Sequence, residues 1–289
     1  MQTQTNNSKI QFGTIIAYAV IIFYTILSIY PFLWMISTSM KESSEVYRNQ
    51  SLIPNNPSLT TLANTWQDLD FFLHFSNSMF LSLIVVVGVI FLYSLAGYGF
   101  AILPFRGSSL IFGFFLSMIL VPGVTVLIPL YVMLRLQVPI IGPGASYVQT
   151  YIGMALPMVN GAAPFAIFLF RNYFRTVPHE IHDAALVDGA GEFRIYWNIY
   201  MPVALPAIAT VGIMNFLGSW NAFAWPSVVL TKQEWLTLPL KLRELDLQRT
   251  IQWDVRMAGA LFTVLPVLLV FILLQRYYIA GLTAGSTKG

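Results

Sequence analysis

The run His179-Glu180-Ile181-His182-Asp183 sets two imidazoles and two carboxylates within five residues. Such groups could hold a metal ion, move protons or pair with charges on a partner. The zinc-binding helix of metalloproteases needs histidines at i and i+4 with an acid between them. Here the histidines stand at i and i+3, and no third ligand is evident. No metal site and no catalytic residue are therefore expected. The chain has no cysteine, so disulfides, thiolate metal sites and thiol redox chemistry are excluded. What remains is charge pairing, with this run as the polar face of a docking element.

The flanking residues give that element its form. Pro178 to Pro206 is polar and lies between two long apolar stretches. Thr176-Val177-Pro178 reads as a helix start, since proline suits a first turn. Glu180 and Asp183 fall in the first turns, where acids favour the positive end of the helix dipole. Ile181, Ala184, Ala185 and Leu186 make a small apolar face. Asp188-Gly189-Ala190 is a break, and Gly189 permits a sharp turn. A second short helix is predicted over Glu192–Tyr200, ending before Pro202, which opens the next apolar span. Two short helices joined at a small-residue elbow make a knob for a socket on a soluble partner.

The rest of the chain must anchor that knob. Of 289 residues, 57% are apolar and 9% charged, where a soluble domain carries roughly 25% charged. The net charge of +3 is small and dispersed, so nucleic acid is not a predicted partner. The polar start MQTQTNNSKI leads into an apolar run too long for a signal-peptide core, and no small-residue cleavage site follows. It reads as a retained helix. A bilayer core needs about 20 apolar residues per helix. Six stretches qualify: 14–37, 77–103, 110–133, 147–170, 202–230 and 257–278. The predicted fold class is an all-α membrane protein, a six-transmembrane-helix bundle forming a single domain over 1–289, with the loop at 178–206. Pro122, Pro129, Pro157, Pro164 and Pro266 fall inside spans and predict local kinks. A short amphipathic helix is predicted after Pro57.

With six spans, both termini and the 178–206 loop share one side of the membrane. Segments 41–76, 134–146 and 231–256 share the other. Seven Lys and Arg lie on the terminal side and eight on the other, so the positive-inside rule does not orient the chain.

The 178–206 loop resembles the EAA loop of binding-protein-dependent ABC importer permeases. That pattern has Glu-Ala-Ala, then Asp-Gly-Ala, then Ile-x-Leu-Pro. Here they read Asp183-Ala184-Ala185, Asp188-Gly189-Ala190 and Ile199-Tyr200-Met201-Pro202. The resemblance extends through LAGYGFAILPFRG, VPGVTVLIPLY, FLFRNYFRTVP, WNAFAWP and the tail QRYYIAGLTAGSTKG. It is strongest to the shorter permease of carbohydrate importers of the maltose-transporter type.

The resemblance implies that the loop docks into a cleft of a cytosolic ATPase through Glu180, Asp183, Ala184, Ala185, Asp188, Gly189 and Ala190. It puts that loop and both termini in the cytoplasm, in a bacterial inner membrane. The implied partners are a homologous second permease subunit, two cytosolic ATPase subunits, an extracytoplasmic solute-binding protein and membrane lipid. ATP and magnesium would sit on the ATPase, and no cofactor on this chain. The resemblance also sends the tail between the ATPase subunits. Two departures stand out: Asp183 is one methylene shorter than the usual glutamate, and Met201 replaces leucine, a volume-conserving change.

Polar groups inside spans face the bundle or a watery path. Asn215 and Ser219 lie four apart, about 40° apart around a helix, and are the candidates for a translocation path. Trp220 is expected at the flank of that helix or at an outer gate. Neutral amides beside aromatics suit an uncharged, polyhydroxylated solute. An ion-coupled secondary transporter is the alternative, but its coupling commonly needs intramembrane carboxylates or histidines, and the predicted spans contain none. The chain also lacks G-x-x-x-x-G-K-[ST], so any ATPase must be another chain.

Overall fold

Lipid offers the backbone no hydrogen-bond partner, so apolar spans must close their bonds internally, as helices. The computed structural model describes residues 12–103, 105–136, 150–248 and 252–284, and no strand occurs among them. Four helices are long and apolar enough to cross a membrane: α1 (Phe12–Ser39), α4 (Phe71–Ala101), α7 (Tyr151–Phe174) and α14 (Trp253–Ala284). Two bent pairs raise the count to six if each pair is one span. The expected tail lies partly outside the described residues, since 285–289 are not among them.

The predicted third span is one bent pair. Ser108–Leu120, beginning with α5 (Ser108–Ser117), meets Gly123–Arg135, ending in α6 (Leu127–Arg135), at 93°. Val121 and Pro122 are both extended at the corner. Proline forces this, because its ring crowds the preceding residue out of the helical region. The second pair departs from expectation. Helical backbone runs through Glu192–Val203 and then turns by 77° into α11 (Leu205–Trp220). Pro202 therefore lies inside the earlier helical run and does not open the span. A wide π-turn at Tyr196–Tyr200, in which Met201 N–H bonds to the Tyr196 carbonyl, precedes it. That turn relieves the clash a proline ring makes with a carbonyl four residues back. The bend falls at Ala204, and Pro206 occupies the first turn of α11.

The described residues group into two compact units. The first comprises 12–68, 246–248 and 252–262. In it, none of the most apolar window of α1 is buried, which suits a lipid-facing surface. After α1 the chain folds back on a buried lysine. Lys41 Nζ donates to the carbonyls of Asn49 (2.9 Å) and Ser51 (2.7 Å) and sits over the Trp34 ring. Glu45, in the short helix α2 (Ser43–Val46), accepts from the Asn55 backbone N–H and the Asn49 amide. These bonds, Asn55 first, hold its carboxyl below the usual range. The amphipathic helix predicted after Pro57 is α3 (Thr60–Asp68), whose Trp66 packs edge-on against Phe262.

The second unit comprises 69–103, 105–136, 150–245 and 263–284. Its centre is the pair α4 and α7, with α11 against both. The two helices run in the same direction. At one end Tyr151 Oη donates to Asn77 Oδ1, and at the other Gly97 meets Phe170. Leu81, Val85 and Val89 of α4 pack with Val159, Ala166 and Phe170 of α7 and with Ala207 and Val211 of α11. The first turns of α4 also clasp a loop. His74 Nδ1 and Asn77 Nδ2 both reach the Leu236 carbonyl, and Ser78 Oγ accepts from Leu238 N–H at the start of α13 (Leu238–Gln248). Because α4 begins earlier than hydropathy alone suggests, His74 is helical, in its first turn.

Gly97 sets the approach of α4 to α7. A Cβ there would lie 2.6 Å from Phe170 Cβ and 3.1 Å from the Arg171 nitrogen, with backbone on one side. Gly97→Ala is expected to destabilise the detergent-solubilised protein by about 1–3 kcal/mol, the usual cost of overpacking. Gly99→Ala, with nothing within 4 Å, serves as the control and should leave the melting temperature unchanged. Equal melting temperatures for both variants would refute the assignment.

Candidate functional site

The loop forms as its local chemistry dictates. Pro178 is extended and caps α8 (His179–Val187), with Glu180 in the first turn. The helix closes on a glycine. Gly189 has φ +79°, its N–H donates to the Leu186 carbonyl, and Ala190 N–H reaches back to the Ala185 carbonyl. This six-to-one and five-to-two pairing is a Schellman cap, with the left-handed residue supplied by glycine. The chain then enters α9 (Glu192–Ile195) and the π-turn.

α8 has two unlike faces. Glu180, Asp183, Ala184, Val187 and Asp188 are exposed, and their spacing of i, i+3, i+4, i+7, i+8 places them on one side. The Asp183 side chain is 75% exposed and Val187 is 88% exposed. Gly189 is exposed at the elbow. Ala185 and Ala190 are half-buried and pack on the core, so two of the seven predicted docking residues turn partly inward. His182 is buried. This exposed face is therefore acidic and apolar, and of the two histidines only His179 is exposed with it. Among the described residues no group of three or more His, Cys, Asp or Glu side chains could hold a metal ion.

The inward face is fastened by a polar tie that the sequence did not disclose. Tyr98 Oη of α4 donates to Glu192 Oε2 at 2.6 Å. His182 Nε2 lies 3.3 Å from the same oxygen, and its Nδ1 lies 3.5 Å from Asp183 Oδ1. Tyr98 is packed edge-on by Phe174, Tyr196 and Tyr200. Tyr196 Oη in turn pairs with Ser94 Oγ at 2.7 Å. The only sequence signals were a tyrosine in the apolar stretch Leu95–Phe100 and a lone acid after Gly191.

The predicted path residues sit on α11. Asn215 is half-buried and its Nδ2 donates to the Val211 carbonyl of its own helix. Ser219 is buried and its Oγ donates to the Asn215 carbonyl. Trp220 departs from its expected place at the helix flank or a gate. It is fully buried, stacked with Phe216, and its indole N–H donates to the Thr263 carbonyl. An indole whose single donor finds a partner is stable in a core.

Gly189→Val is expected to abolish transport while leaving the protein inserted. The site is open, with nothing within 4 Å of where a Cβ would stand, so the damage comes from forcing a β-branched residue to φ +79°. Membrane insertion and co-purification of the cytosolic ATPase that the resemblance implies are the measurements. Wild-type levels of bound ATPase and of stimulated hydrolysis would refute the role of the elbow.

Known proteins resemble this chain. The family model described as "Binding-protein-dependent transport system inner membrane component" matches residues 94–283. The arabinooligosaccharides transport system permease protein AraQ of Halalkalibacterium halodurans is 35% identical over 280 residues, covering 92% of this chain and 94% of that one. The lactose transport system permease protein LacG of Rhizobium radiobacter is 30% identical, covering 95% of this chain and 96% of that one. A crystal structure of a bacterial ABC transporter that imports the acidic polysaccharide alginate has a chain of the same fold. Its TM-score is 0.79 at 20% identity, covering 94% of this chain and 98% of that one.

Proposed function

The chain belongs to the family of binding-protein-dependent transport system inner membrane components, and from that premise we propose that it is a permease subunit of an ATP-driven importer of a sugar or sugar-like solute. Relatives named for arabinooligosaccharides, diacetylchitobiose and lactose support the solute class. ATP and magnesium would be bound by a partner, a reading supported by the absence of a phosphate-loop motif from this sequence. In this reading two cytosolic ATPases grip the 178–206 loop, a second permease completes the pathway, and an extracytoplasmic binding protein delivers the solute. Both termini then face the cytoplasm.

The observation that carries the reading is the exposed face of α8. It presents Glu180, Asp183 and Asp188 around Ala184 and Val187, and no described part of this chain covers them. Exposed apolar groups bracketed by like charges on a short helix suit a docking surface. The face opposite is fastened to α4 through Glu192 and Tyr98. A force applied by a partner to α8 thus reaches the membrane helices directly. Asn215 and Ser219 remain our candidates for the path wall, with Asn215 the more accessible of the two.

The charge of Asp183 is the test. A charge-assisted hydrogen bond contributes roughly 1.5–3 kcal/mol, so Asp183→Asn should weaken ATPase stimulation about tenfold or more. Asp183→Glu should preserve it. Solute-dependent hydrolysis in proteoliposomes containing the whole transporter is the readout, and an asparagine variant indistinguishable from wild type would remove the charge pairing from the mechanism.

A further inference from the structure

In the second unit a pocket of about 510 Å³ lies where α4 and α7 end and α5 begins. Arg171 in the last turn of α7, Arg175 just after it and Arg106 from the turn between α4 and α5 all line it. Three guanidinium groups thus share one space, and no acidic residue among the described residues lines it. Among the described residues none of the three forms an ion pair. Cations at a helix C-terminus offset the dipole, which amounts to roughly half a charge. Arg171 and Arg175, four apart on α7, more than meet that need. Arg106 comes from a different segment and adds charge that the helix end does not call for.

Arg171 is held in place. Its Nε donates to the Phe100 carbonyl at 3.4 Å, and its guanidinium carbon lies 4.1 Å from the centre of the Phe112 ring. It is half-buried, and its terminal nitrogens have no acceptor among the described residues. α5 opens on Gly107, at φ +85°, with no side-chain cap, so the positive end of that helix adds to the field of the arginines. The rest of the wall is apolar, with Leu103 and Phe105 both exposed. Beyond it Leu110, Ile111 and Phe114 stand exposed along α5. A free anion in water has no use for that apolar border, whereas a lipid fits a cationic pocket that opens onto one.

We propose that this pocket holds the phosphate of one anionic phospholipid, with Arg106, Arg171 and Arg175 around the phosphate and an acyl chain along Leu110 and Phe114. The planar fork of arginine matches phosphate oxygens two at a time. The pocket stands where the apolar helices end, which is the depth of lipid headgroups. Three cations against one phosphodiester leave an excess of positive charge. That excess selects a headgroup without an amine of its own, such as phosphatidylglycerol, over phosphatidylcholine. Arg175 precedes Pro178 by three residues, so the bound lipid would sit beside the base of the 178–206 loop. The inference needs only that the chain spans a membrane and is independent of the solute carried.

The test uses the intact transporter in detergent, washed free of co-purified lipid. Ser109→Cys places a thiol in the pocket wall of this naturally cysteine-free chain, and its labelling by a small uncharged maleimide is timed. Phosphatidylglycerol should slow labelling, and phosphatidylcholine at the same concentration should not. Arg106→Gln and Arg175→Gln, both at exposed positions where folding is not at stake, should each demand about tenfold more phosphatidylglycerol for the same protection. Arg194→Gln removes the same charge from an exposed site in the 178–206 loop, outside the pocket, and should leave protection unchanged. An equal loss of protection in Arg194→Gln would mean diffuse attraction to the surface and overturn the proposal. So would protection by phosphatidylcholine, or by inorganic phosphate at the same concentration, or no slowing at all. Protection that needs no lipid and vanishes when peripheral subunits are stripped away would give the pocket to a protein partner and overturn it equally.

Discussion

The contact between Gly97 and Phe170 is the constraint on which the second unit depends. Only hydrogen on Gly97 lets the backbones of α4 and α7 come so close. Small residues serve this purpose in membranes, where water drives no association between helices and packing must do so. The next residue after Gly97 is Tyr98, which the close approach delivers to Glu192. The residues after Phe170 lead through Phe174 into Pro178 and α8. One glycine thus fixes both the helix pair and the position from which the loop departs.

Breaks in the helices follow the same economy of hydrogen bonds. A corner inside a bilayer leaves carbonyls and N–H groups that lipid cannot satisfy. This chain puts its sharpest corner at Val121 and Pro122, where one missing N–H is already accounted for. The second corner, at Ala204, lies beside Pro206 for the same reason. Trp220 illustrates the complement: a single indole donor, deep in the core, finds the Thr263 carbonyl.

Much of this was legible in the sequence. The helix after Pro57, the start of α8 at Pro178 and the glycine turn at Gly189 follow from local composition and backbone sterics, and the structure places each as read; of the six apolar stretches, four are long helices and two are bent pairs. The path of the chain through Pro202 was not legible. A proline there reads as a helix start, and only the π-turn at Tyr196–Tyr200, a feature with no sequence signature of its own, carries the helix past it. The inward orientation of His182 was equally hidden. Its partner Glu192 lies across the elbow, and the Tyr98 that completes the set is far away in sequence. Long-range pairings depend on how helices dock, and periodicity within one segment does not encode that. The membership of Asp183 and Glu180 in one exposed face was recoverable, because spacing along a single helix fixes it.

The tie from Tyr98 to Glu192 has a mechanical consequence. A hydrogen bond weakens steeply as its geometry opens, so it transmits displacement stiffly over a few tenths of an ångström and then lets go. The loop is thus joined to α4 by a coupling with a slip limit. Next to this joint, the buried rings of Phe174, Tyr196 and Tyr200 resist compression but not separation. The linkage is therefore stiffer when the loop is driven inward than when it is pulled away.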